Sequence, residues 1–376
     1  MKQFALYYIY LPAAFFLFIR LVVALSNVLF RASLPNSKTI VSNYAQLKID
    51  ILIPARNEEH NIAKLIESLL KLETQHDINI LILDDNSTDA TSQIISDYSI
   101  QSPKLAGTTG KELPSGWLGK NFACHQLSDQ SRPDADILIY LDADIQLHPN
   151  SIDLYLDYFR NNKLDFLSIF PDQQMVTLGE KMVVPIMHHI LLSLLPLALV
   201  KGTKLPSLSA ANGQFIAITK AAYQAILPHK QFKNNPVEDI AMARHYKSLG
   251  YKCACLLGRD LITCRMYQNF GEGIIGFSKN FRAFFHYSYV WLSLFFLLGT
   301  VSLLISTFFV SLPLAVVILF SALLLHILTL TGAGQLTNLN TFLSPIHTLT
   351  MILLFVKSVQ YRKGKKYIWK NRQLDI

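Results

Sequence analysis

The sequence predicts an α/β fold in which a mostly parallel sheet is flanked by helices, with transmembrane or interfacial helices at both ends. From Lys48 onward, short apolar runs alternate with amphipathic helical periodicity, which is the pattern of βαβ units. The chain is also 51% hydrophobic with a mean hydropathy of +0.30, which is too apolar for an ordinary soluble domain. The two observations together indicate an α/β domain attached to a membrane.

The N-terminal segment is almost wholly apolar from Phe4 to Phe30, and Arg20 is its only charged residue. This run is long enough to cross a hydrocarbon core of about 30 Å. We therefore expect residues 1–32 to form an uncleaved membrane anchor, with Arg20 snorkelling towards the interface.

The first predicted strand is Ile49 to Ile53, and an amphipathic helix is expected from Asn57 to Leu72. The second strand, Ile78 to Leu83, runs into an acidic loop that begins at Asp84 and Asp85. Ser87 or Thr88 in that loop is the expected cap of the next helix.

A third apolar run, Ile137 to Leu141, ends in Asp142-Ala143-Asp144. Carboxyl ends of parallel strands meet at one edge of the sheet, where open α/β folds bind ligands. If strand geometry continues through the motif, Asp142 and Asp144 share one face. Two such carboxylates favour a divalent cation that holds a diphosphate, although an acidic surface turn gives the same pattern.

The remaining chain is read as membrane-associated. Residues 182–200 are apolar but contain two prolines and two histidines, which favours a broken interfacial helix. Residues 266–288 are expected to form interfacial helices, 289–360 the C-terminal membrane helices, and 361–376 a basic cytoplasmic tail.

Three apolar stretches lie in the C-terminal membrane region. We expect Tyr289 to Leu312 and Leu314 to Leu330 to cross as a hairpin, and the shorter Pro345 to Val359 not to cross. An even number of crossings keeps the tail on the same side as the α/β domain.

Charge and cysteine content exclude two other classes. The net charge of +8 lies largely in the tail, and no stripe of Lys or Arg interleaved with aromatic residues suggests nucleic-acid binding. The four cysteines contain no Cys-x-x-Cys pair and are read as buried thiols.

Four motifs occur in order along the chain. They are Ile53-Pro54-Ala55-Arg56-Asn57-Glu58-Glu59, Asp84-Asp85-Asn86-Ser87-Thr88-Asp89, Asp142-Ala143-Asp144 and Glu238-Asp239. This set resembles the inverting family 2 glycosyltransferases, and within them the membrane-anchored carotenoid glycosyltransferases of the diaponeurosporenoate type. The resemblance implies a GT-A-type nucleotide-binding domain over residues 48–265.

The resemblance also implies roles for individual residues. Asp239 would be the catalytic base and Asp144 the ligand of Mg²⁺ or Mn²⁺. The nucleotide-sugar site would comprise Pro54, Ala55, Arg56, Glu58, Asp84, Asp85, Lys120, Asp142, Ala143, Asn212, Gly213 and Arg265. The alternative to these roles is that Lys120 is a solvated surface lysine and that Glu238-Asp239 are favourable charges at a helix start.

Two positions depart from the pattern of the family. Cys264-Arg265-Met266-Tyr267 stands where processive relatives carry Gln-x-x-Arg-Trp, and Leu227-Pro228-His229 stands where relatives carry Gly-Gly-His. Placement of the acceptor is therefore the part of the likeness with the least support.

The implied function is transfer of a hexose, most simply glucose, from a UDP-sugar to a lipophilic acceptor such as a carotenoid acid. The other expected partner is membrane lipid, and no nucleic acid is expected to bind. The expected location is the cytoplasmic membrane, multi-pass, with the catalytic domain in the cytoplasm. Alternatives are a ceramide-like or polyprenyl-phosphate acceptor, a polysaccharide synthase, and a membrane scaffold with a vestigial domain.

Overall fold

The computed structural model describes residues 2–30, 46–285, 288–360, 367–369 and 372–374. The chain divides into two compact units. We call Ala32–Gln174, Leu199–Met266 and Lys366–Ile376 the sheet unit, and Met1–Arg31, Met175–Ala198 and Tyr267–Lys365 the helical unit.

The strands are β1 (Lys48–Ala55), β2 (Asp77–Asp84), β3 (Leu105–Thr109), β4 (Ile137–Leu141), β5 (Ile145–Leu147), β6 (Phe166–Phe170), β7 (Asp172–Gln173), β8 (Phe215–Thr219), β9 (Cys253–Leu257), β10 (Ile262–Cys264), β11 (Tyr367–Trp369) and β12 (Arg372–Leu374). Seven of them form one sheet in the order β3-β2-β1-β4-β8-β6-β9. Strand β8 runs antiparallel to β4 and β6, and the other pairings are parallel. The predicted mostly parallel sheet is confirmed.

The helices are α1 (Lys2–Leu29), α2 (Ile62–Leu70), α3 (Thr91–Gln101), α4 (Gly119–Gln130), α5 (Ser151–Asn161), α6 (Leu178–Val183), α7 (Pro185–Leu194), α8 (Leu197–Gly202), α9 (Lys220–Ile226), α10 (Pro228–Gln231), α11 (Glu238–Ser248), α12 (Phe270–Asn280), α13 (Tyr289–Phe296), α14 (Ser302–Phe309), α15 (Leu312–Gly332), α16 (Asn338–Phe342) and α17 (Ser344–Gln360).

The sheet is covered on both faces because its central strands are apolar on both. In β1, Ile49, Ile51 and Ile53 contribute to the core on one face, which includes α2, while Leu52 contributes to the core on the other, which includes α4. Burial on both faces removes the need for alternating polar residues, which is why these strands read as continuous apolar runs.

Helix α2, the first helix after β1, begins later than predicted, at Ile62 instead of Asn57. Asn57 has a left-handed backbone with φ of 52°, so the helix cannot start there. Its side-chain oxygen accepts a hydrogen bond from the Thr88 amide at 2.8 Å, which joins the loops after β1 and β2.

The predicted cap by Ser87 or Thr88 is wrong, because α3 starts after Ala90 without a side-chain cap. The acidic loop folds on itself instead, since the Ser87 amide donates to Asp84 Oδ1 at 3.1 Å. The loop residues therefore shape the end of β2 and do not begin a helix.

Residues 182–200 form a broken helix, as predicted, made of parts of α6, α7 and α8, with Pro185 in the first turn of α7. The apolar stretch expected to be one span from Tyr289 to Leu312 is helical without a break as far as Phe309, with a π-helical segment in its middle. It comprises α13, the π-helical segment Leu297–Val301 and α14.

Within the described residues, two helices are long and apolar enough to cross a membrane, Tyr10–Leu29 and Leu312–Gly332. The expected snorkelling of Arg20 is wrong, because its side chain is buried within the helical unit at 2% exposure.

Candidate active site

The predicted site residues gather at the carboxyl ends of β1, β2 and β4. Ala55 and Asp84 are the last residues of β1 and β2 and lie opposite each other in the sheet. The Asp85 amide donates to the Ala55 carbonyl at 2.8 Å, so the two strand ends remain joined beyond the ladder. Pro54 pairs with Leu83 one step earlier.

Arg56 holds the loop that follows β2. Its guanidinium donates to the main-chain oxygens of Asp85 and Asn86, the second at 2.9 Å. Asp84, Asp85 and Arg56 are all buried. Glu58 continues the same edge, with its amide donating to the Thr91 hydroxyl at 2.7 Å.

Lys120 lies in the first turn of α4, as predicted, and is surrounded by acids. Its Nζ is 2.6 Å from Asp142 Oδ1 and 3.8 Å from Glu238 Oε1. Burial favours the neutral amine, but Asp142 and Glu238 outweigh that effect and raise the pKa of Lys120. With a side chain only 27% exposed, it is not a solvated surface lysine.

Asp142 and Asp144 converge through a turn and not through strand alternation. Strand β4 ends at Leu141 and β5 begins at Ile145, so the expectation that strand geometry continues through the motif is wrong. Buried Ala143 separates the two acids. The Asp142 amide donates to the Gln214 carbonyl at 3.1 Å, which ties the turn to the residue before β8.

Asp144 has the features of a cation ligand. Its Oδ1 is buried and has no hydrogen-bond partner among the described residues, while Oδ2 accepts from Gln214 Nε2 at 3.4 Å. Burial, followed by the charges of Asp142 and Glu58, raises the pKa of Asp144 to about 7. A bound cation would balance the negative charge of the Asp144 carboxylate and give Oδ1 a partner.

The described residues contain no group of three or more His, Cys, Asp or Glu side chains placed to hold a metal by themselves. Small divalent ions are often held by one or two carboxylates plus the phosphates of a substrate. The orphaned oxygen of Asp144 therefore fits an ion whose coordination the diphosphate completes.

Asp239 lies in the first turn of α11, next to Glu238, as predicted. Its Oδ2 accepts from the Gly213 amide at 2.8 Å, and its Oδ1 from the Ile240 amide at 2.8 Å. Burial raises the pKa of Asp239, and the same cause raises the pKa of the neighbouring Glu238 to about 7. Glu238 can therefore exchange a proton near neutral pH.

Gly213 lies at the centre of this arrangement. A Cβ at this position would lie 3.0 Å from Lys120 Nζ, 3.6 Å from Glu238 Oε1 and 3.7 Å from Asp239 Oδ2. The glycine therefore keeps open the space between the amine and the two acids.

Gln214 is a site residue that sequence reasoning missed. Besides Asp144, it contacts Asn212, whose Nδ2 donates to Gln214 Oε1 at 3.1 Å, and Cys264, whose Sγ is 2.8 Å from Gln214 Nε2. Arg265 follows Cys264 directly after β10. The position of Gln214 beside Gly213 was the only signal in the sequence that could have identified it, since Gln214 belongs to none of the four motifs.

Comparison with known proteins agrees with this arrangement. The Glycosyl transferase family 2 model matches residues 50–224. Two 4,4'-diaponeurosporenoate glycosyltransferases are similar. That of Staphylococcus haemolyticus (strain JCSC1435) is 26% identical over 62% of this chain, and that of Staphylococcus aureus (strain N315) is 23% identical over 61%. Each match spans 60% of the length of the relative.

A solved mannosyltransferase from Pyrobaculum calidifontis, in complex with GDP-Man and Mn²⁺, shares the fold with a TM-score of 0.55. The likeness covers 94% of this chain and 100% of the other at 12% identity. The family match covers β1 to α9, and therefore includes the strand ends that carry the acids. Residues 50–224 thus match the glycosyl transferase family 2 model, and the chain has a GT-A-type fold.

Proposed function

We propose that this protein is a membrane-bound inverting glycosyltransferase that moves glucose from a UDP-sugar to a lipophilic acceptor, a carotenoid carboxylic acid. The observation that carries the proposal is the cluster of acids at the sheet edge where ligands bind. Asp142 pairs with Lys120, Asp239 accepts from Gly213, and Asp144 accepts from the adjacent Gln214. The names of the similar staphylococcal proteins support the choice of acceptor.

The donor nucleotide is assigned to the ends of β1 and β2. The carboxylates of Asp84 and Asp85 can accept the imide N–H of uracil, which cytosine lacks. Arg56 is a positioning residue here, because its bonds to the Asp85 and Asn86 oxygens fix the loop. Pro54, Ala55 and Glu58 line the same cleft.

Lys120 and the N-terminus of α4 are assigned to the diphosphate. In the structure the amine is held by Asp142 and Glu238, and a diphosphate would compete with these acids for its charge. We assign the sugar to the space that Gly213 keeps open, beside Asn212, and keep Arg265 and Ala143 in the same donor site.

Asp144 is assigned to Mg²⁺ or Mn²⁺, and the Mn²⁺ in the complex of the Pyrobaculum mannosyltransferase supports this assignment. The ion would stabilise the negative charge that develops on the leaving diphosphate. Gln214 orients the Asp144 carboxylate, since it is hydrogen-bonded to Oδ2 and fixed by Asn212.

Asp239 is assigned to the acceptor. With a hydroxyl acceptor it removes the proton from the nucleophile. A carboxylic acid acceptor is already ionised at neutral pH. Asp239 then orients the acceptor more than it removes a proton.

The test is glucosyl transfer by the purified full-length protein in lipid nanodiscs. UDP-glucose should glucosylate a carotenoid carboxylic acid with inversion at the anomeric carbon, read by NMR, and EDTA should stop the reaction. Transfer to ceramide or a polyprenyl phosphate in preference would select the alternative acceptor. Absence of transfer to every acceptor, with the Asp239→Asn variant indistinguishable from wild type, would support the scaffold alternative.

We further propose a multi-pass location in the cytoplasmic membrane. Residues 1–32 anchor the chain, residues 48–265 act in the cytoplasm, and residues 361–376 return to the cytoplasmic side. Labelling of a Lys366→Cys variant in intact cells with a membrane-impermeant reagent tests the placement. Lys366 lies outside the described residues, and labelling from outside the cell would overturn the proposed crossings.

A further inference from the structure

The helical unit contains a buried cation that no acid balances. Arg20, in α1, is 2% exposed, and its Nε and Nη2 donate to Ser193 Oγ at 3.2 and 3.0 Å. Nη2 is also 2.9 Å from His189 Nε2. The rings of Phe16 and Phe295 lie 5.7 and 5.0 Å from its guanidinium carbon. In the described part of the chain, no carboxylate lies within 4.0 Å of this side chain.

Three histidines beside Arg20 have hydrogen-bond partners on other elements of the helical unit. A carbonyl oxygen only accepts, so His347 Nε2 carries a proton and donates it to the Lys181 oxygen at 2.7 Å. His347 Nδ1 is then the acceptor for His326 Nε2 at 3.0 Å. His189 accepts from Arg20 through Nε2 and therefore donates through Nδ1 to Thr329 Oγ1 at 2.9 Å. Among the described residues, this network contains no Asp or Glu side chain.

A cavity of about 80 Å³ lies beside Arg20. Its polar lining comes from Arg20, His189, His326, Ser344, His347 and Thr348, and the rest is apolar apart from Gly299. Among the described residues, no carboxylate lines it. Among the described residues, no hydrogen bond from Arg20 Nη1 is formed, so its two N–H groups are available to a ligand.

The size of the cavity and the positive charge of Arg20 indicate which ligand it binds. A volume of 80 Å³ corresponds to roughly two or three water molecules, which suits a carboxylate or phosphate group. A buried cation without a counter-ion is costly and is best balanced by an anion with oxygen acceptors.

The surroundings of the cavity indicate that the anion is attached to an apolar chain. Helices α1 and α15 expose large hydrophobic side chains, among them Phe15 at 65% and Phe320 at 66%. The cavity is also lined by Leu17, Ile186 and Leu303. We propose that this cavity binds the oxyanion headgroup of an anionic amphiphile, paired with Arg20, at a site separate from the candidate active site.

The binding test uses the full-length protein in nanodiscs of phosphatidylcholine. The probes are radiolabelled palmitate, phosphatidic acid, hexadecanol and inorganic phosphate. We expect saturable binding of one palmitate or phosphatidic acid for each protein, and weaker binding of hexadecanol and of inorganic phosphate by about tenfold or more. Equal binding of hexadecanol would overturn the role of charge, and equal binding of inorganic phosphate would overturn the role of the apolar chain.

Variants locate the site. Arg20→Gln should weaken palmitate binding about tenfold or more, because it removes a charge-assisted hydrogen bond. Thr348→Leu keeps Arg20 but fills the cavity, and should also weaken binding, which covers the case in which Arg20→Gln fails to fold. Lys357→Gln removes an exposed charge from α17 and is the matched control with unchanged binding. Wild-type affinity in Thr348→Leu, or an equal loss in Lys357→Gln, would overturn the proposal.

Discussion

Two basic side chains of the described residues, Lys120 and Arg20, have opposite environments. Lys120 in the sheet unit has Asp142 and Glu238 within 4 Å, and Asp239 lies on the other side of Gly213. Arg20 in the helical unit has only uncharged partners, a serine, a histidine and two aromatic rings. The first site contains more acid than base, and the second contains base alone.

This difference indicates which ligand each region can accept. A cluster of carboxylates around one amine is stabilised by added positive charge, which agrees with a divalent ion at Asp144. A single buried guanidinium is stabilised by added negative charge. The following variants test whether the acidic region behaves as this comparison requires.

The largest effect is expected from Asp239→Asn. With a hydroxyl acceptor, turnover should fall about 100- to 10,000-fold because the nucleophile loses its general base, while donor affinity stays unchanged. Isothermal titration with a UDP-sugar analogue measures the donor affinity. A large loss of donor affinity would move Asp239 into the nucleotide site.

Asp144→Asn should raise the activation free energy by several kcal/mol, which lowers turnover about a hundredfold or more. The variant should also bind Mn²⁺ more weakly, as measured by electron paramagnetic resonance. The metal-free variant should fold at least as well as wild type, because the amide replaces a buried acid with a raised pKa. Retention of more than about a tenth of the activity would contradict the assignment.

Gly213→Ala should have a moderate effect, on the order of tenfold in turnover, equivalent to about 1.4 kcal/mol. The added methyl group would lie 3.0 Å from Lys120 Nζ, a flexible side-chain end that can shift without unfolding the domain. Gly202→Ala is the matched control, because its Cβ would meet no atom within 4 Å. Equal activity of the two variants would show that the space at Gly213 is not used.

The smallest effect concerns stability and pH. The pKa of Glu238 is raised to about 7 by burial, so the folded state keeps a proton that the unfolded state loses from about pH 4.5 upward. Stability of the metal-free protein should therefore decrease as pH rises from 4.5 through 7. Glu238→Gln should remove on the order of 2 kcal/mol of this decrease. Thermal unfolding in detergent at pH 5 and pH 8 measures it, and identical pH dependence in both proteins would refute the burial effect.

The sequence by itself determined the elements that carry the acids. The apolar runs of β1, β2 and β4 are local patterns, and so are the helix starts at Lys120 and Asp239. Each depends on residues within about two helical turns, so periodicity and charge placement were sufficient to predict it.

Only the tertiary structure decided how these elements meet. Gln214 reaches Asp144 across 70 residues, and Arg20 reaches Ser193 across 173 residues. Local periodicity contains no information about such partners, because they depend on which helices and strands pack together. The turn at Asp142 to Asp144 and the left-handed Asn57 likewise follow from contacts with other loops, which is why strand and helix geometry failed there.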